Sequence, residues 1–233
     1  MSQIRLPATC IAELAYATPG ARASKLRPYK YSNRGEGAGR SAYYKGTRDT
    51  VREYHRSQNN TRVLRQAIER LTAIENDLSL PRQTRTKARK NIEALYAYED
   101  LYGARKFTVM PNHFLALEVG SVTIKAQPDL WVSENGTEVL IKIGVAKNRS
   151  ADQVDLLLHL IRKAAIKTGY KIRARNVVYL NTKTGEEVIS HRPLNYFNRT
   201  IVNTCHAISG VWQDVRPPVP RQRPVTSQNV NSK

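Results

Sequence analysis

The chain has 233 residues, with 38 Lys and Arg against 19 Asp and Glu and a formal net charge of +19. A charge imbalance of this size favours a polyanionic partner, and phosphate neutralisation by Lys and Arg makes nucleic acid the first candidate. No apolar run approaches the roughly 20 residues of a membrane-spanning helix, which argues against a membrane partner. The two cysteines, Cys10 and Cys205, are too few for a four-thiolate metal site. Without a secretory signal we expect them to be reduced thiols in a cytoplasmic protein.

The N-terminal half has the patterns of loops and helices. Residues 1–20 form a short apolar segment, and residues 21–45 are basic and rich in Gly and Tyr without a period, which predicts a loop. Over residues 46–78 apolar side chains recur at helical spacing, with a break expected at residues 59–60. A further helix is predicted over residues 84–102.

The second half changes to strand patterns. Two hairpins are predicted, and the Asn135-Gly136 turn of the second is the strongest short-range hairpin signal. Residues 151–168 predict a helix, residues 177–181 a short buried strand, and residues 194–212 a closing helix. The Pro-rich tail, residues 216–233, is predicted to be disordered. This order predicts an α/β fold with a mixed β-sheet core flanked by helices and a helical N-terminal part.

The second hairpin, PDLWVSENGTEVLIKIG from Pro128 to Gly144, brings two opposite charges together. With a two-residue turn at Asn135-Gly136, Asp129 lies opposite Lys142. Counted outward from the turn, this is a non-hydrogen-bonded pair, in which Cβ atoms lie roughly 4.5–5.5 Å apart. We therefore predict an ion pair between Asp129 and Lys142.

Several segments, taken in order, resemble one nuclease superfamily. KGTRDTVREYHR is similar to a helix start with a Gly-x-x-x-His pattern, QPDLWVSENGTEVLIKIGVAK to an Asp motif followed by an acid-x-Lys strand, and SADQVDLLLHLIRKAAIKTG to the helix after that strand. LPATCIAELAYATPGARAS is similar to an opening segment and NVVYLNTKTGEEV to a closing part. Together they cover most of residues 1–220 and resemble the PD-(D/E)xK nuclease superfamily, in its RecB/Cas4-like exonuclease branch. The resemblance implies a restriction-endonuclease-like core.

The resemblance also implies which residues would form a metal site. In such nucleases carboxylates hold divalent cations that activate water, and a lysine beside them helps to position it. The histidine position falls on Thr50, the first acid on Asp129, the second acid on Lys142 and the lysine on Gly144. Because only Asp129 keeps the expected chemistry, we expect a degenerate site with no catalytic residues and no metal; Mg²⁺ or Mn²⁺ at Asp129 is the alternative. The cysteine cluster common in this branch is absent from the sequence, so we expect no iron–sulfur cluster.

An active nuclease with relocated ligands remains an alternative. Asp155 and His159 lie one turn apart on the predicted helix, and Lys147 lies in the segment before it. Glu118, on the preceding hairpin, could supply one further carboxylate.

Basic residues concentrate in three clusters. Residues 21–70 carry 13 Lys and Arg against 4 Asp and Glu, interleaved with tyrosines. Aromatic side chains beside Arg and Lys are typical of surfaces that hold single strands. A second cluster lies in residues 84–90, and a third lies on and after the predicted helix 151–168. The predicted nucleic-acid-binding residues are Arg27, Tyr29, Lys30, Tyr31, Arg34, Arg40, Tyr43, Tyr44, Lys45, Arg48, Arg52, Lys87, Arg89, Lys90, Lys147, Lys163, Lys167, Lys171, Arg173 and Arg175.

The sequence thus predicts a catalytically inactive nuclease-fold protein that binds DNA or RNA. It would act as a subunit or scaffold of a nucleoprotein complex with other protein subunits, in defence, recombination or a mobile element. The alternatives are the active nuclease and a protein–protein adaptor whose basic surface meets an acidic partner. Three parts are expected: a basic N-terminal arm and helical part at residues 1–105, an α/β core at 106–215 and the tail at 216–233.

Overall fold

The computed structural model of the chain describes residues 3–31, 44–145 and 149–217. These residues form a mixed α/β fold with two mixed sheets. The helices are α1 (Ala8–Ala15), α2 (Pro19–Lys30), α3 (Lys45–Arg56), α4 (Thr61–Asn76), α5 (Arg82–Tyr102), α6 (Ala151–Lys167) and α7 (Asn198–Trp212). The strands are β1 (Ile4–Pro7), β2 (Thr108–Val109), β3 (Ala116–Val119), β4 (Val122–Lys125), β5 (Leu130–Glu134), β6 (Thr137–Gly144), β7 (Val177–Asn181) and β8 (Glu186–Ile189).

The larger sheet has five strands in the order β2-β5-β6-β7-β8. β5 and β6 form the predicted hairpin, and both turn residues take positive φ, 50° at Asn135 and 76° at Gly136. β6 runs parallel to β7, with α6 between them in the chain, because parallel neighbours need a crossover connection. The predicted helix over 151–168 and the strand over 177–181 are therefore both found.

The smaller sheet has three strands in the order β1-β4-β3. β3 and β4 form the first predicted hairpin, and β1 joins β4 in parallel with Ile4 opposite Val122. We expected a single mixed sheet, whereas the two hairpins lie in separate sheets. The strand β1 comes from residues 1–105, which were predicted to form an arm and helices outside the core. The division of the chain at residue 105 stays a prediction.

The larger sheet is covered on both faces. On one face, side chains such as Trp131, Leu140 and Tyr179 pack in one apolar cluster with the smaller sheet, α1, α6 and α7. On the other face, Leu130 and Ile141 pack in a second cluster with α3, α4 and α5. Burial on both faces explains why β7 is almost continuously apolar and why β6 contains the unbroken apolar run 139–141, since neither face is left to water there.

The N-terminal loop prediction is wrong where the structure describes it. Residues 19–30 form α2, which begins with a proline in its first turn and includes Pro28. Only Leu26 of this helix is fully buried, so its sequence carries no apolar stripe that a periodicity could reveal. The predicted break between α3 and α4 is found, with positive φ at Gln58 and Asn59. Residues 32–43 and 218–233, the latter most of the predicted tail, lie outside the described residues.

Candidate functional site

Asp129 lies just before β5, at the end of the hairpin opposite the turn. Its main-chain N–H donates to the Ile141 carbonyl at 2.9 Å, and its carboxylate Oδ2 accepts from the Ile143 N–H at 2.9 Å. Because Asp129 lies just outside β5, its carboxylate accepts the hydrogen bond from β6 that a main-chain carbonyl would accept within the sheet. This role alone accounts for an acidic side chain at the position, whether or not the site has any other function.

Three basic side chains surround Asp129, which is only 4% exposed. Its Oδ1 atom lies 2.9 Å from Arg48 Nη1 and 3.0 Å from Lys142 Nζ. Arg52 Nη2 donates to the Asp129 main-chain carbonyl at 2.8 Å. Burial raises the pKa of the Asp129 carboxyl, but Lys142 and Arg48 outweigh it and the pKa is lowered overall. The carboxylate is therefore ionised and neutralised from within the protein.

The predicted register and ion pair are both found. Leu130 pairs with Ile141 across the hairpin, as a two-residue turn requires, and this places Asp129 opposite Lys142. The Lys142 ammonium also donates to the Gln127 carbonyl at 3.2 Å. The sequence did not reveal Arg48 as the second partner of Asp129, because no local pattern shows where α3 lies against this strand end.

The position of the expected catalytic lysine is Gly144, and its side-chain space is filled. A Cβ atom built at Gly144 would overlap the phenol group of Tyr179. Tyr179 lies on the neighbouring parallel strand, is 2% exposed, and accepts a hydrogen bond at 3.2 Å from Arg149 Nη1. A lysine could not occupy this position without displacing Tyr179. The small residue in β6 and the bulky one in β7 were the available sequence signal for this contact.

The residues present do not fit a divalent cation at Asp129. Both carboxylate oxygens already have donors, and Lys142 stands where the resemblance places the second acid. Thr50, at the histidine position, is half-buried on α3 and is not an imidazole. In residues 3–31, 44–145 and 149–217, no group of three or more His, Cys, Asp and Glu side chains could hold a metal ion.

Among the described residues, Asp155, His159 and Glu118 are not brought together as a metal site. Asp155 forms an ion pair with Arg192, with Oδ2 and Nε 3.6 Å apart. His159 is 2% exposed, and its Nε2 atom has no hydrogen-bond partner within the described part of the chain. Burial lowers the pKa of His159 to about 4, and the positive charges of Lys163 and Arg162 contribute in the same direction. Glu118 is exposed on β3, and Lys147 lies outside the described residues.

Part of the first basic cluster has a structural role. Lys30 Nζ donates to three main-chain carbonyls, those of Trp212, Gln213 and Val215, at 2.6, 3.0 and 3.2 Å. The Tyr31 hydroxyl also donates to the Val215 carbonyl, at 2.7 Å. These bonds join the end of α2 to the end of α7. Arg27 and Tyr29 are half-buried on α2, and Tyr44 is half-buried next to exposed Lys45. Arg48 and Arg52 lie at Asp129. Arg34, Arg40 and Tyr43 fall outside the described residues.

The second and third basic clusters are more exposed. Arg89 and Lys90 are exposed on α5, where Arg89 lies 3.9 Å from Glu93, and Lys87 is half-buried. In the third cluster, Lys163 donates to Asn198 Oδ1 and Lys167 is exposed near the end of α6. The side chains of Lys171, Arg173 and Arg175 line a cavity of 390 Å³ together with the tip of the β5–β6 hairpin. The sequence did not indicate this cavity, because the hairpin tip and the segment before β7 meet only in the fold.

Both cysteines, Cys10 and Cys205, are buried free thiols. Among the described residues, no helix is long and apolar enough to cross a membrane.

No protein-family model matches the sequence, and no curated protein matches it.

Proposed function

We propose that this chain is a catalytically inactive protein with a PD-(D/E)xK nuclease-like core that binds DNA or RNA. It acts in the cytoplasm as a subunit or scaffold of a nucleoprotein complex. One observation carries the inactive part of the proposal: the Asp129 carboxylate is neutralised by Lys142 and Arg48. Two cations thereby supply the positive charge that a metal would bring to an active site of this family.

The order of elements supports the fold part of the proposal. The resemblance implies a strand that follows the Asp motif, an antiparallel strand with the acid-x-Lys motif, a helix and a further strand. The hairpin β5–β6, helix α6 and strand β7 follow in this order, and the three strands are neighbours in one sheet. Gly144, packed against Tyr179, stands where the resemblance expects the catalytic lysine.

The charge of the chain supports nucleic acid as the partner. The net charge of +19 is the excess that remains when every acidic side chain is matched with a basic one. Phosphate contacts by Lys and Arg provide most sequence-independent affinity for nucleic acid. Exposed basic residues on α5 and before β7 supply such contacts without any catalytic group.

The test is binding and cleavage measured with the same protein. Purified protein is mixed with labelled single-stranded and duplex DNA and RNA, with and without Mg²⁺ or Mn²⁺. We expect binding without cleavage. Cleavage that disappears in the Asp129→Ala variant would contradict an inactive site, whereas cleavage that persists in the variant comes from a contaminating nuclease or from a site that does not use Asp129.

Salt dependence separates nucleic-acid binding from the adaptor alternative. A protein that neutralises phosphates loses affinity steeply as salt rises, with a slope of about −0.7 per contact for single strands. We expect such a slope for oligonucleotides. Absence of binding at low salt, together with protein partners that co-purify, would favour the adaptor.

A further inference from the structure

A basic groove lies at the tip of the β5–β6 hairpin, away from Asp129. Its 390 Å³ volume is bounded on one side by Gly136, Thr137 and Glu138 and on the other by residues 171–176. Ile172 is 4% exposed and anchors the second wall in the core. The groove is thus formed by two segments that are each fixed to the larger sheet.

The basic side chains of the groove have no hydrogen-bond or ion-pair partner among the described residues. Lys171, Arg173 and Arg175 are exposed, and the only hydrogen bonds near them that the structure shows involve the main chain. They alternate in sequence with the buried Ile172 and half-buried Ala174, so the segment presents three cations in a row to solvent. Such a row is left with unbalanced positive charge in a concave site, which concentrates the field on an anion.

The acidic side chains around the hairpin tip are already engaged. Glu138 accepts from the Trp131 indole N–H at 3.2 Å, although it lines the groove. Glu134 is bound by Arg105, with Oε2 and Nη2 2.6 Å apart, and Arg105 Nη1 also lies 3.0 Å from Glu187. The neighbouring carboxylates are therefore directed to internal donors rather than to the three groove cations.

The spacing of the cations and the size of the groove indicate the ligand. Lys171 and Arg173 lie two residues apart in a segment without helix or strand, and Arg175 follows in a short 3-10 helix, Ala174–Asn176, so the three cations lie on one short stretch of chain that can contact phosphates of one nucleic-acid strand. The volume of 390 Å³ lies within the range of roughly 300–1,000 Å³ that is typical of small-ligand pockets, which suits one or two nucleotides of a single strand. None of the described residues that line the groove is aromatic, which favours backbone contacts over base stacking.

We infer that the groove between residues 136–138 and 171–176 binds the phosphodiester backbone of a single nucleic-acid strand. The inference rests on the proposed nucleic-acid binding and names the site and the part of the ligand it holds. Lys171, Arg173 and Arg175 bind successive phosphates without reading the base sequence. The nucleic-acid strand therefore meets the protein at the start of β6, far from Asp129 and from the position of a nuclease active site.

The first experiment removes the three charges. The triple variant Lys171→Gln/Arg173→Gln/Arg175→Gln and the wild type are titrated with fluorescent oligo-dT and oligo-rU over a range of salt. We expect affinity to fall on the order of tenfold to a hundredfold at low salt, and the salt slope to become shallower by about 2, since three single-strand contacts are lost. The control Arg62→Gln/Arg65→Gln/Arg70→Gln removes three exposed charges from α4. It is expected to change affinity by less than about threefold, because salt screens exposed charges that do not contact the strand.

The second experiment blocks the groove without changing charge. Thr137 lines the groove and is exposed, so Thr137→Trp fills part of the space and should weaken binding to a similar extent. Thr72→Trp, on the exposed surface of α4, is the matched control and should bind like the wild type. An unlabelled duplex of the same length should compete less well than the unlabelled single strand.

The outcomes separate the groove from the proposed function. If both triple variants weaken binding equally, or if Thr137→Trp binds like the wild type, the protein binds nucleic acid but not through this groove. If the duplex competes as well as the single strand, the assignment to one strand is wrong. If the wild type binds none of the oligonucleotides at low salt, the proposed function itself fails and the inference fails with it.

Discussion

Two basic regions lie at opposite ends of the β5–β6 hairpin, and they differ in what their cations contact. At one end, Arg48 and Lys142 bind the buried Asp129 carboxylate. At the other end, roughly 17 Å along β6, Lys171, Arg173 and Arg175 line an open groove, and their side chains make no hydrogen bond or ion pair with a described residue. The first region is an internal ion-pair network and the second is a surface available to an anion.

The difference shows that a basic sequence does not by itself locate a binding surface. Arg48 and Arg52 were predicted to bind nucleic acid, as was Lys30, yet their strongest contacts are with Asp129 and with main-chain carbonyls of α7 and the residues after it. A cation that already has a buried partner would have to leave it in order to bind a phosphate, at a cost. A cation without a partner has no such cost.

The largest expected effect is loss of the charge at Asp129. The Asp129→Asn variant leaves Arg48 and Lys142 partly buried without their anion, and breaking a buried pair in this way typically costs about 3–5 kcal/mol. We expect a loss of that order in the free energy of unfolding, measured by urea denaturation with the fluorescence of buried Trp131. The control Asp100→Asn, at an exposed acid near the end of α5, should be nearly neutral. A small effect at Asp129 would mean that the two regions do not differ as described.

The same pair has a defined pH dependence. The pKa of Asp129 is lower in the folded protein than its usual value of 3.8. The stability that it contributes is therefore present above pH 3.8 and is lost as the pH falls through the lower, folded-state pKa. Asp129→Asn should lack this acid-dependent part of the unfolding curve, while Asp100→Asn should keep it.

A second pH effect comes from His159, in a different window. Its pKa is lowered to about 4 in the folded state from 6.5, mainly by burial. Between pH 6.5 and pH 4 this histidine is protonated in the unfolded chain but neutral in the folded chain. Its contribution to the free energy of unfolding is therefore fully present above pH 6.5, and that free energy falls by about 3 kcal/mol towards pH 4. The measurement is unfolding free energy at a series of pH values for the wild type and His159→Met.

The variant should show a shallower slope, but not a flat one. His55, whose pKa burial also lowers despite a hydrogen bond with Asn59, contributes in the same direction. His206→Asn, at an exposed histidine on α7, is the control and should keep the wild-type slope. An unchanged slope in His159→Met would show that this ring is protonated in the folded protein.

A smaller effect is expected at Gly144, next to the Asp129 region. Gly144→Ala places a methyl group against Tyr179, and overpacking of this kind typically costs about 1–3 kcal/mol. Gly210→Ala is the matched control, because a Cβ atom there contacts nothing within 4 Å on an exposed helix face. It should be neutral or slightly stabilising.

The contact itself is tested by a double-mutant cycle. In a Tyr179→Leu background the phenol is absent, so Gly144→Ala should cost clearly less than in the wild type. Additive effects of the two substitutions would show that Tyr179 does not fill the side-chain space at Gly144, and that a lysine could stand there.

Local chemistry explains how much of this structure could be predicted. The Asn135-Gly136 turn sets the register of the second hairpin, and the register in turn predicts the contact between Asp129 and Lys142. Helix α6 was predictable because its apolar residues follow a helical period and Ser150 caps its start with a capping box. In each case residues close in sequence carry the information.

The features that could not be predicted depend on residues far apart in the chain. β1 is a four-residue strand that pairs with a strand more than a hundred residues later, so nothing local marks it. Arg48 reaches Asp129 only because α3 packs near the end of β5. The groove likewise exists only once the segment before β7 lies beside the hairpin tip. The basic residues were visible in the sequence, but which of them have partners was not.

The smallest expected effect is the most direct test of the contrast between the two regions. Lys171→Gln/Arg173→Gln/Arg175→Gln removes three charges that make no hydrogen bond or ion pair with a described residue, and substitutions of this kind usually change stability by less than about 0.5 kcal/mol. Arg48→Gln removes one charge but leaves a buried carboxylate short of a donor, which should cost about 1–3 kcal/mol. Urea unfolding of both variants at low and high salt measures the difference. If the triple variant is destabilised as much as Arg48→Gln, its cations have internal roles. In that case the groove cations would stabilise the fold and would not form a binding surface for a nucleic-acid strand.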